Sequence, residues 1–127
     1  MRRTTIIDLL NDSVGKYAEN PFLWEKITTK FEPTTYAETK QQAHELAAGL
    51  IEFGVAAGDK IALLSEGRNA WIIGELGILH AGAVNVPLSI KLEESNDLLF
   101  RLFVKNNYFF YQRYGLCNRT YFLQLCS

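Results

Sequence analysis

The sequence predicts an α/β fold, namely a partial layered structure with a parallel βαβ core flanked by helices and a small N-terminal β-hairpin. Two short and nearly continuous apolar runs, residues 60–65 and 83–88, are typical of strands that are covered on both faces. An apolar helical segment from Trp71 to His80 separates these two runs. A strand, a helix and a strand over this length form a right-handed βαβ unit, which defines the predicted core.

The composition agrees with such a globular domain. Of the 127 residues, 48% are hydrophobic and 21% are charged, which is not the balance of a disordered chain. The net charge is −1, and the basic residues are scattered among acidic ones, so no nucleic-acid-binding face is expected. No signal-peptide core follows the start, and no run approaches the roughly 20 apolar residues that span a bilayer. We therefore expect a cytoplasmic protein without a transmembrane segment.

Two amphipathic helices are predicted in the first half of the chain. Apolar residues at helical spacing over residues 6–17 predict the first, which should stop near Asn20-Pro21. Thr35 and Glu38 fit a capping box that opens the second, and Gly54 is placed to end it. The predicted buried stripe of the second helix consists of Ala43, Leu46, Ala47, Leu50 and Ile51.

Residues 22–28 are typical of a strand, and residues 30–35 of a short return strand. The return strand should lie at a sheet edge, because Pro33 cannot donate a hydrogen bond to a ladder. Asn69 is a plausible N-cap for the third helix, which is apolar nearly all round and should be deeply buried. Ala81-Gly82 should end that helix.

The later elements are less regular. Gly82 and Pro87 are expected to set the backbone shape around the second core strand. Glu93 and Glu94 favour the start of a fourth helix. Its predicted buried stripe consists of Leu98, Leu99, Leu102 and Phe103. Residues 108–111 could form a third parallel strand, and residues 112–127 follow neither a helical nor a strand period.

The chain divides near residue 102 into two kinds of sequence. Residues 1–102 contain 14 acidic and 10 basic residues, whereas residues 103–127 contain no acidic residue and three basic ones. The second part also contains eight of the 16 aromatic residues and both cysteines. We therefore predict an N-terminal part of a larger domain, residues 1–102, and an atypical aromatic tail, residues 103–127, for which a frameshift is one explanation.

No catalytic motif can be derived from the residues alone. A phosphate-binding P-loop, a dinucleotide fingerprint, a zinc-binding H-E-x-x-H and a nucleophile elbow are all absent from the sequence. Four segments stand out instead, in a fixed order along the chain. They are Thr35-Tyr36-Ala37-Glu38, residues 54–62, Arg68-Asn69-Ala70-Trp71 and residues 77–88.

These segments resemble the N-terminal region of the adenylate-forming enzymes, and within them the long-chain fatty acid–CoA ligases (acyl-CoA synthetases). Thr35-Tyr36-x-Glu38 resembles the first core motif of the family, and residues 79–88 resemble the second. The likeness extends over about residues 5–102. It implies a two-step reaction in the full-length family: a carboxylate attacks ATP to form an acyl-adenylate and pyrophosphate, and the thiol of CoA then displaces AMP.

The resemblance also implies which parts are missing. The family uses a Ser/Thr/Gly-rich phosphate loop, a Tyr-x-x-Thr-Glu segment, a ribose-binding Asp and a Lys of the C-terminal domain, and none of them is present in this sequence. We therefore predict no catalytic, cofactor-binding or metal-binding residue in this chain. ATP, Mg²⁺ and CoA, with a fatty acid, are implied only for the full-length enzyme.

Some single residues invite a functional interpretation, but a structural one is favoured for each. His80 could be a general base, yet no acidic or nucleophilic residue neighbours it in sequence. Arg68 could bind a phosphate at a helix N-terminus, although solvation or an ion pair with Glu66 or Glu75 is the better expectation. Trp24 and Trp71 could line an acyl tunnel, but core packing is the default.

For residues of the tail, too, a structural interpretation is favoured over a functional one. Cys117 and Cys126 have neither a disulfide framework, nor metal-ligand spacing, nor an obvious cause for a lowered pKa. The aromatic run of residues 108–111 could bind a base or a lipid surface, but an unpartnered strand is the plainer interpretation.

The sequence therefore favours an N-terminal ligase fragment that scaffolds a site and is inactive alone. Three alternatives stay open. The chain could be a binding or regulatory module that associates with a full-length ligase or with itself through an open sheet edge. It could be a flavodoxin-like nucleotide-binding domain, although the loop after residue 65 has a single glycine where a phosphate cradle is expected. It could also be a poorly folded product that aggregates.

Overall fold

The structure is a computed structural model that describes residues 4–64, 68–88, 108–111 and 122–123. It contains an N-terminal helix, a two-stranded hairpin, and a four-stranded sheet with helices packed against it. The predicted fourth helix, which starts at Glu93, lies outside the described residues. The predicted α/β class, with a parallel βαβ core and an N-terminal hairpin, is confirmed.

Helix α1 extends over Ile6–Tyr17, three residues short of the predicted stop at Asn20-Pro21. A capping box opens it, in which the backbone N–H of Asp8 donates to the Thr5 hydroxyl at 3.1 Å and the Asp8 carboxylate accepts from Thr5 N–H at 3.0 Å. The chain then enters the hairpin, whose first residue is Pro21.

The hairpin pairs strand β1, Pro21–Ile27, antiparallel with strand β2, Lys30–Thr35. Ile27 is opposite Lys30, which leaves a two-residue loop. The first loop residue, Thr28, has a φ of 56°, which is uncommon for a β-branched residue. The hairpin was predicted at almost these bounds.

Helix α2, Tyr36–Glu52, begins directly after the hairpin through the predicted capping box. The backbone N–H of Glu38 donates to the Thr35 hydroxyl at 3.2 Å, and the Glu38 carboxylate accepts from Thr35 N–H at 2.8 Å. Gly54 follows the helix with a φ of 107°, as expected for a glycine stop. Ile51 was predicted in the buried stripe but is exposed, because it lies about 100° around the helix from buried Leu50.

The four-stranded sheet has the order β4-β3-β5-β6. Its strands are β3, Lys60–Leu64; β4, Val84–Leu88; β5, Tyr108–Tyr111; and β6, Phe122–Leu123. Strand β3 is parallel to both β4 and β5, so the predicted third parallel strand is confirmed. The tail is therefore paired at β5, and its interpretation as an unpartnered strand is wrong, because β3 and β6 bond to its two edges.

Helix α3, Asn69–His80, connects β3 to β4. Its N-cap is Arg68 and not Asn69, since the Arg68 carbonyl accepts from Trp71 N–H at 2.9 Å and the helix begins one residue earlier than predicted. Gly74, Leu76, Gly77 and Ile78 are buried and the other residues of α3 are half-buried, so no residue of the helix is exposed, in line with the prediction of a deeply buried helix.

The main core cluster lies between the four-stranded sheet and helices α2 and α3. It comprises Ala47 and Leu50 of α2, Ile61 and Leu63 of β3, Ile78 of α3, and the connecting residues Val55, Ala81 and Ala83. The consecutive residues 61–63 are all buried, which confirms a strand covered on both faces. Pro87 of β4 lies opposite Leu63 of β3. Within the described sheet β4 is an edge strand, where a proline is tolerated.

Candidate functional site

The carboxyl ends of the parallel strands are the expected position for a ligand site. Strands β4 and β5 lie on either side of β3, and the chain changes direction across the sheet between them. In open α/β sheets, ligands bind outside the carboxyl ends at such a switch point. The strands end there at Leu64, Leu88 and Tyr111.

Arg68 lies at this edge, at the start of α3. Its Nε donates to a carboxylate oxygen of Glu25, on strand β1. The expected partners, Glu66 or Glu75, were wrong, because the fold brings a residue 43 positions away against the arginine. The ion pair joins the hairpin to α3, so Arg68 has a structural partner and its guanidinium is not held free for a phosphate.

The two tryptophans occupy different environments. Trp71 is partly buried and packs against the core cluster, as predicted. Trp24 is 56% exposed, so core packing is wrong for this residue. The reason is that Trp24 lies on the side of a two-stranded hairpin against which no described element packs.

His80 lies at the opposite end of α3, near the amino edge of the sheet. Its Nδ1 is 2.7 Å from the Leu76 carbonyl, which can only accept, so Nδ1 carries the hydrogen. Its ring meets that of His44 edge to face, with centroids 4.5 Å apart. These contacts support the structural interpretation of His80.

The proximity of the two rings affects His44. His44 is exposed, but partial desolvation lowers its pKa below the ordinary value of 6.5, and the nearby charges of His80 and Lys40 lower it further. His44 was not singled out in the sequence, because a contact between positions on two helices leaves no local pattern.

Two buried polar atoms have no hydrogen-bond partner in the part of the chain that the structure describes. They are Nε2 of His80 and Oδ1 of Asn85. Such atoms often mark a binding site, but in adenylate or phosphate chemistry they would have to lie near the carboxyl edge. Both residues belong to the amino edge, since α3 ends and β4 begins there.

An apolar groove of about 310 Å³ lies between α1 and α3. Its lining is Ile6, Leu9, Leu10, Ser13, Phe22, Tyr36, Ile72, Glu75 and Leu76. Phe22 and Tyr36, both in this lining, stack with ring centroids 4.3 Å apart. The groove lacks a cation for a carboxylate or phosphate among these residues, so it does not have the chemistry of an ATP site.

The described ranges also bear on metal binding and on membrane insertion. There, no group of three or more His, Cys, Asp or Glu side chains could hold a metal ion. Within the same ranges, the longest apolar helices are too short or too polar to span a bilayer. Cys117 and Cys126 lie outside the described residues, as do the side chains of residues 108–111.

The fold is that of the N-terminal subdomain of adenylate-forming enzymes. The chain matches the N-terminal subdomain of NpsA from Klebsiella oxytoca with a TM-score of 0.68 at 21% identity, covering 84% of this chain and 27% of the other. It matches a fatty acid AMP ligase from Legionella pneumophila with a TM-score of 0.70 at 24% identity, covering 83% and 18%.

The sequence comparison identifies the family. The profile described as AMP-binding enzyme matches residues 10–96, and the chain belongs to this family. The long-chain-fatty-acid–CoA ligase FadD15 of Mycobacterium bovis is 44% identical over 54 residues, which are 42% of this chain and 9% of the ligase. The chloroplastic long-chain-fatty-acid–[acyl-carrier-protein] ligase AEE15 of Arabidopsis thaliana is 33% identical over 79 residues, 62% and 11% of the two chains. This chain thus spans about a tenth of the length of these relatives.

Proposed function

We propose that this chain is the N-terminal segment of a fatty acid–CoA ligase and that it scaffolds the ATP and acyl sites without contributing a catalytic residue. The match of the AMP-binding enzyme profile to residues 10–96 carries the proposal. The names of the relatives narrow it to fatty acyl substrates, with CoA as the acceptor in FadD15. ATP, Mg²⁺ and CoA would be bound by the longer protein.

The side-chain chemistry of the described residues supports a scaffold. Acyl-adenylate formation needs donors around the triphosphate and a cation for the developing charge. Among the described residues, Arg68 is a cation at the carboxyl edge, and it forms an ion pair with Glu25. The imidazole of His80 is hydrogen-bonded to a helix carbonyl and packed against His44. Neither residue is arranged to transfer a proton or to stabilise a phosphate.

Isotope exchange between ATP and pyrophosphate tests the scaffold role. The isolated chain, supplied with Mg²⁺ and fatty acids of several lengths, should give no exchange above the protein-free background. A full-length relative assayed in parallel is the positive control. Exchange by the isolated chain would contradict the proposal, because it would require a phosphate-binding site within these residues.

The boundary near residue 102 is part of the same proposal. The family profile ends at residue 96, and the acid-free aromatic sequence begins shortly afterwards. We infer that residues 103–127 depart from the ligase design. The nucleotide sequence beyond codon 102, translated in all three frames, tests this inference. A Ser/Thr/Gly-rich loop in another frame would establish a frameshift, whereas none in any frame would favour a genuine tail.

A second candidate function is a module that associates with a full-length ligase or with itself. Strand β4 supports it, because within the described sheet β4 bonds only to β3 and Val84 on it is exposed. Pro87 removes one donor from that edge and weakens the argument. Size-exclusion chromatography with light scattering, with and without a full-length ligase, separates the two functions.

We also propose a cytoplasmic location, which the FadD15 ligase relatives support through their CoA-dependent chemistry. Cell fractionation tests it, since recovery outside the cytoplasm and its membrane surface would contradict it.

A further inference from the structure

The chain contains two histidines, and the fold brings them into contact with each other. His44 lies on α2 and His80 is the last residue of α3. Their rings meet edge to face, with centroids 4.5 Å apart and planes at 67°. Imidazole is a common ligand of late transition metals, so two imidazoles held together by separate helices form a ligand pair for one ion. We call this pair the two-histidine site.

The ring of His80 is held in one orientation by its own helix. Its Nδ1 donates to the Leu76 carbonyl at 2.7 Å, which leaves the lone pair of the neutral ring on Nε2. Histidines that bind metals usually have this arrangement, in which one ring nitrogen donates to a carbonyl or carboxylate and the other binds the ion. The backbone of α3 therefore fixes both the tautomer and the ring orientation that a metal ligand needs.

The second ring nitrogen of His80 lacks a partner. Its Nε2 is buried and makes no hydrogen bond in the part of the chain that the structure describes. A buried acceptor without a partner is uncommon in folded proteins, because it has lost its bond to water without a replacement. An ion bound to this lone pair would remove that cost. This observation is independent of the ring contact and points to a ligand at the same place.

The separation of the two rings fits one shared ion. When two imidazoles bind one ion at right angles through nitrogens about 2.1 Å from it, their ring centres are roughly 4.5 Å apart. The observed separation is 4.5 Å. His44 is exposed, so its ring can turn toward the ion without disturbing the core. Within the described ranges no third His, Cys, Asp or Glu completes a metal-binding group, so water would occupy the remaining coordination positions.

We propose that His44 and His80 together bind a late first-row divalent metal ion, of which Ni²⁺ and Zn²⁺ are examples, and that the ion links α2 to α3. Mg²⁺ and Ca²⁺ are excluded from this site, because they take oxygen ligands. The charge of Lys40 acts on His44 and opposes a bound cation, so its removal should strengthen binding. The site does not depend on the ligase function.

Titration of the full chain with Ni²⁺, followed by calorimetry and proton NMR, tests the site. The parent for all comparisons is the untagged Cys117→Ser/Cys126→Ser variant, because the two thiols of the sequence would compete for the ion. One ion should bind per chain, and the ring signals of both histidines should broaden together at substoichiometric Ni²⁺. The same concentration of Mg²⁺ should leave both signals unchanged.

Three variants assign the ligands. His44→Gln should weaken Ni²⁺ binding roughly tenfold or more, because one of two chelating nitrogens is lost, and the exposed position keeps the fold intact. His80→Gln should lose as much, with circular dichroism to check that this chain is folded. Lys40→Gln should bind several-fold more tightly, because a like charge is removed. Saturating Ni²⁺ should raise the Tm of the parent and leave that of His44→Gln unchanged.

Three outcomes would overturn the proposal. The first is Ni²⁺ binding that is equally weak in the parent and in folded His44→Gln. The second is broadening of one histidine signal without the other, because the ion would then be adventitious at a single imidazole. The third is an unchanged Tm of the parent at saturating Ni²⁺, because the ion would then not link α2 to α3 in the folded chain.

Discussion

Gly77 lies where α3 packs closely against Leu46 of α2. A Cβ added to Gly77 would lie 2.6–2.9 Å from three atoms of the Leu46 side chain, including its own Cβ, which cannot move away without the backbone. Gly49 on α2 is the matched position, since a Cβ there would meet nothing within 4 Å.

These two glycines give opposite predictions. Gly77→Ala should lower the free energy of unfolding by about 1 kcal/mol, as overpacking exceeds the gain in helix propensity. Gly49→Ala should raise it by roughly 0.5–1 kcal/mol. Urea denaturation monitored by circular dichroism measures both. Equal stabilisation by the two substitutions would contradict the close packing of α2 on α3.

Thr28 holds a left-handed backbone conformation in the hairpin loop, with a φ of 56°. Asparagine tolerates this region better than a β-branched residue. Thr28→Asn should therefore stabilise the chain by about 1 kcal/mol, measured by the same denaturation. Thr29→Asn is the control and should change little, because the Thr29 backbone does not enter that region. Destabilisation by Thr28→Asn would contradict the loop geometry.

His44 makes stability depend on pH. Its pKa in the folded chain is below 6.5, first through partial desolvation of the exposed ring, with contributions from His80 and Lys40. The unfolded chain therefore binds more protons below that pH, and stability that is complete above about pH 6.5 is lost as the pH falls toward the folded pKa. His44→Gln should flatten this decline in urea midpoints between neutral and mildly acidic pH. An unchanged pH dependence in this variant would exclude His44 as its source.

At the scale of elements, the junction between the hairpin and α2 joins two local structures through one residue. Thr35 ends β2 and also caps α2, and its carbonyl accepts from the buried Thr39 hydroxyl at 2.8 Å. Thr35→Ala should cost about 1 kcal/mol, by loss of the side-chain acceptor for the Glu38 N–H. Thermal unfolding measures the loss, and Thr29→Ala, in the exposed loop, serves as the control. No loss would show that the capping box is not formed in solution.

The junction also shows what could be predicted from the sequence. The Thr35–Glu38 capping box and the glycine stop at Gly54 were predicted because each depends on residues within one helical turn. The true N-cap at Arg68 and its pairing with Glu25 were missed. Both follow from the approach of the hairpin to α3, which tertiary structure decides and local sequence does not show.

At the scale of the whole molecule, the order of segments along the chain is what this protein shares with the adenylate-forming enzymes. The order of four short segments indicated the family, and the profile match over residues 10–96 confirmed it. Burial of individual residues was harder to predict, as exposed Trp24 shows. A hydrophobic pattern tells which elements form but not which faces stay uncovered.

Gly58 and Gly82 connect the loop before β3 with the loop before β4. Their φ values are 87° and 76°, and Gly58 N–H donates to the Gly82 carbonyl at 2.9 Å, so the loops before β3 and β4 are bonded together. The adjacent Val84 N–H donates to the Asp59 carbonyl at 2.7 Å. The parallel core is thus aligned from its amino edge.

Complementation of a truncated enzyme tests the central claim most directly. A long-chain fatty acid–CoA ligase lacking the segment that matches residues 10–96 would be assayed for ATP–pyrophosphate exchange with and without this chain added separately. The scaffold account predicts that the chain restores fatty acid-dependent exchange and that Gly77→Ala restores less. If the ligase's own segment restores exchange in the same assay and this chain does not, the account is contradicted.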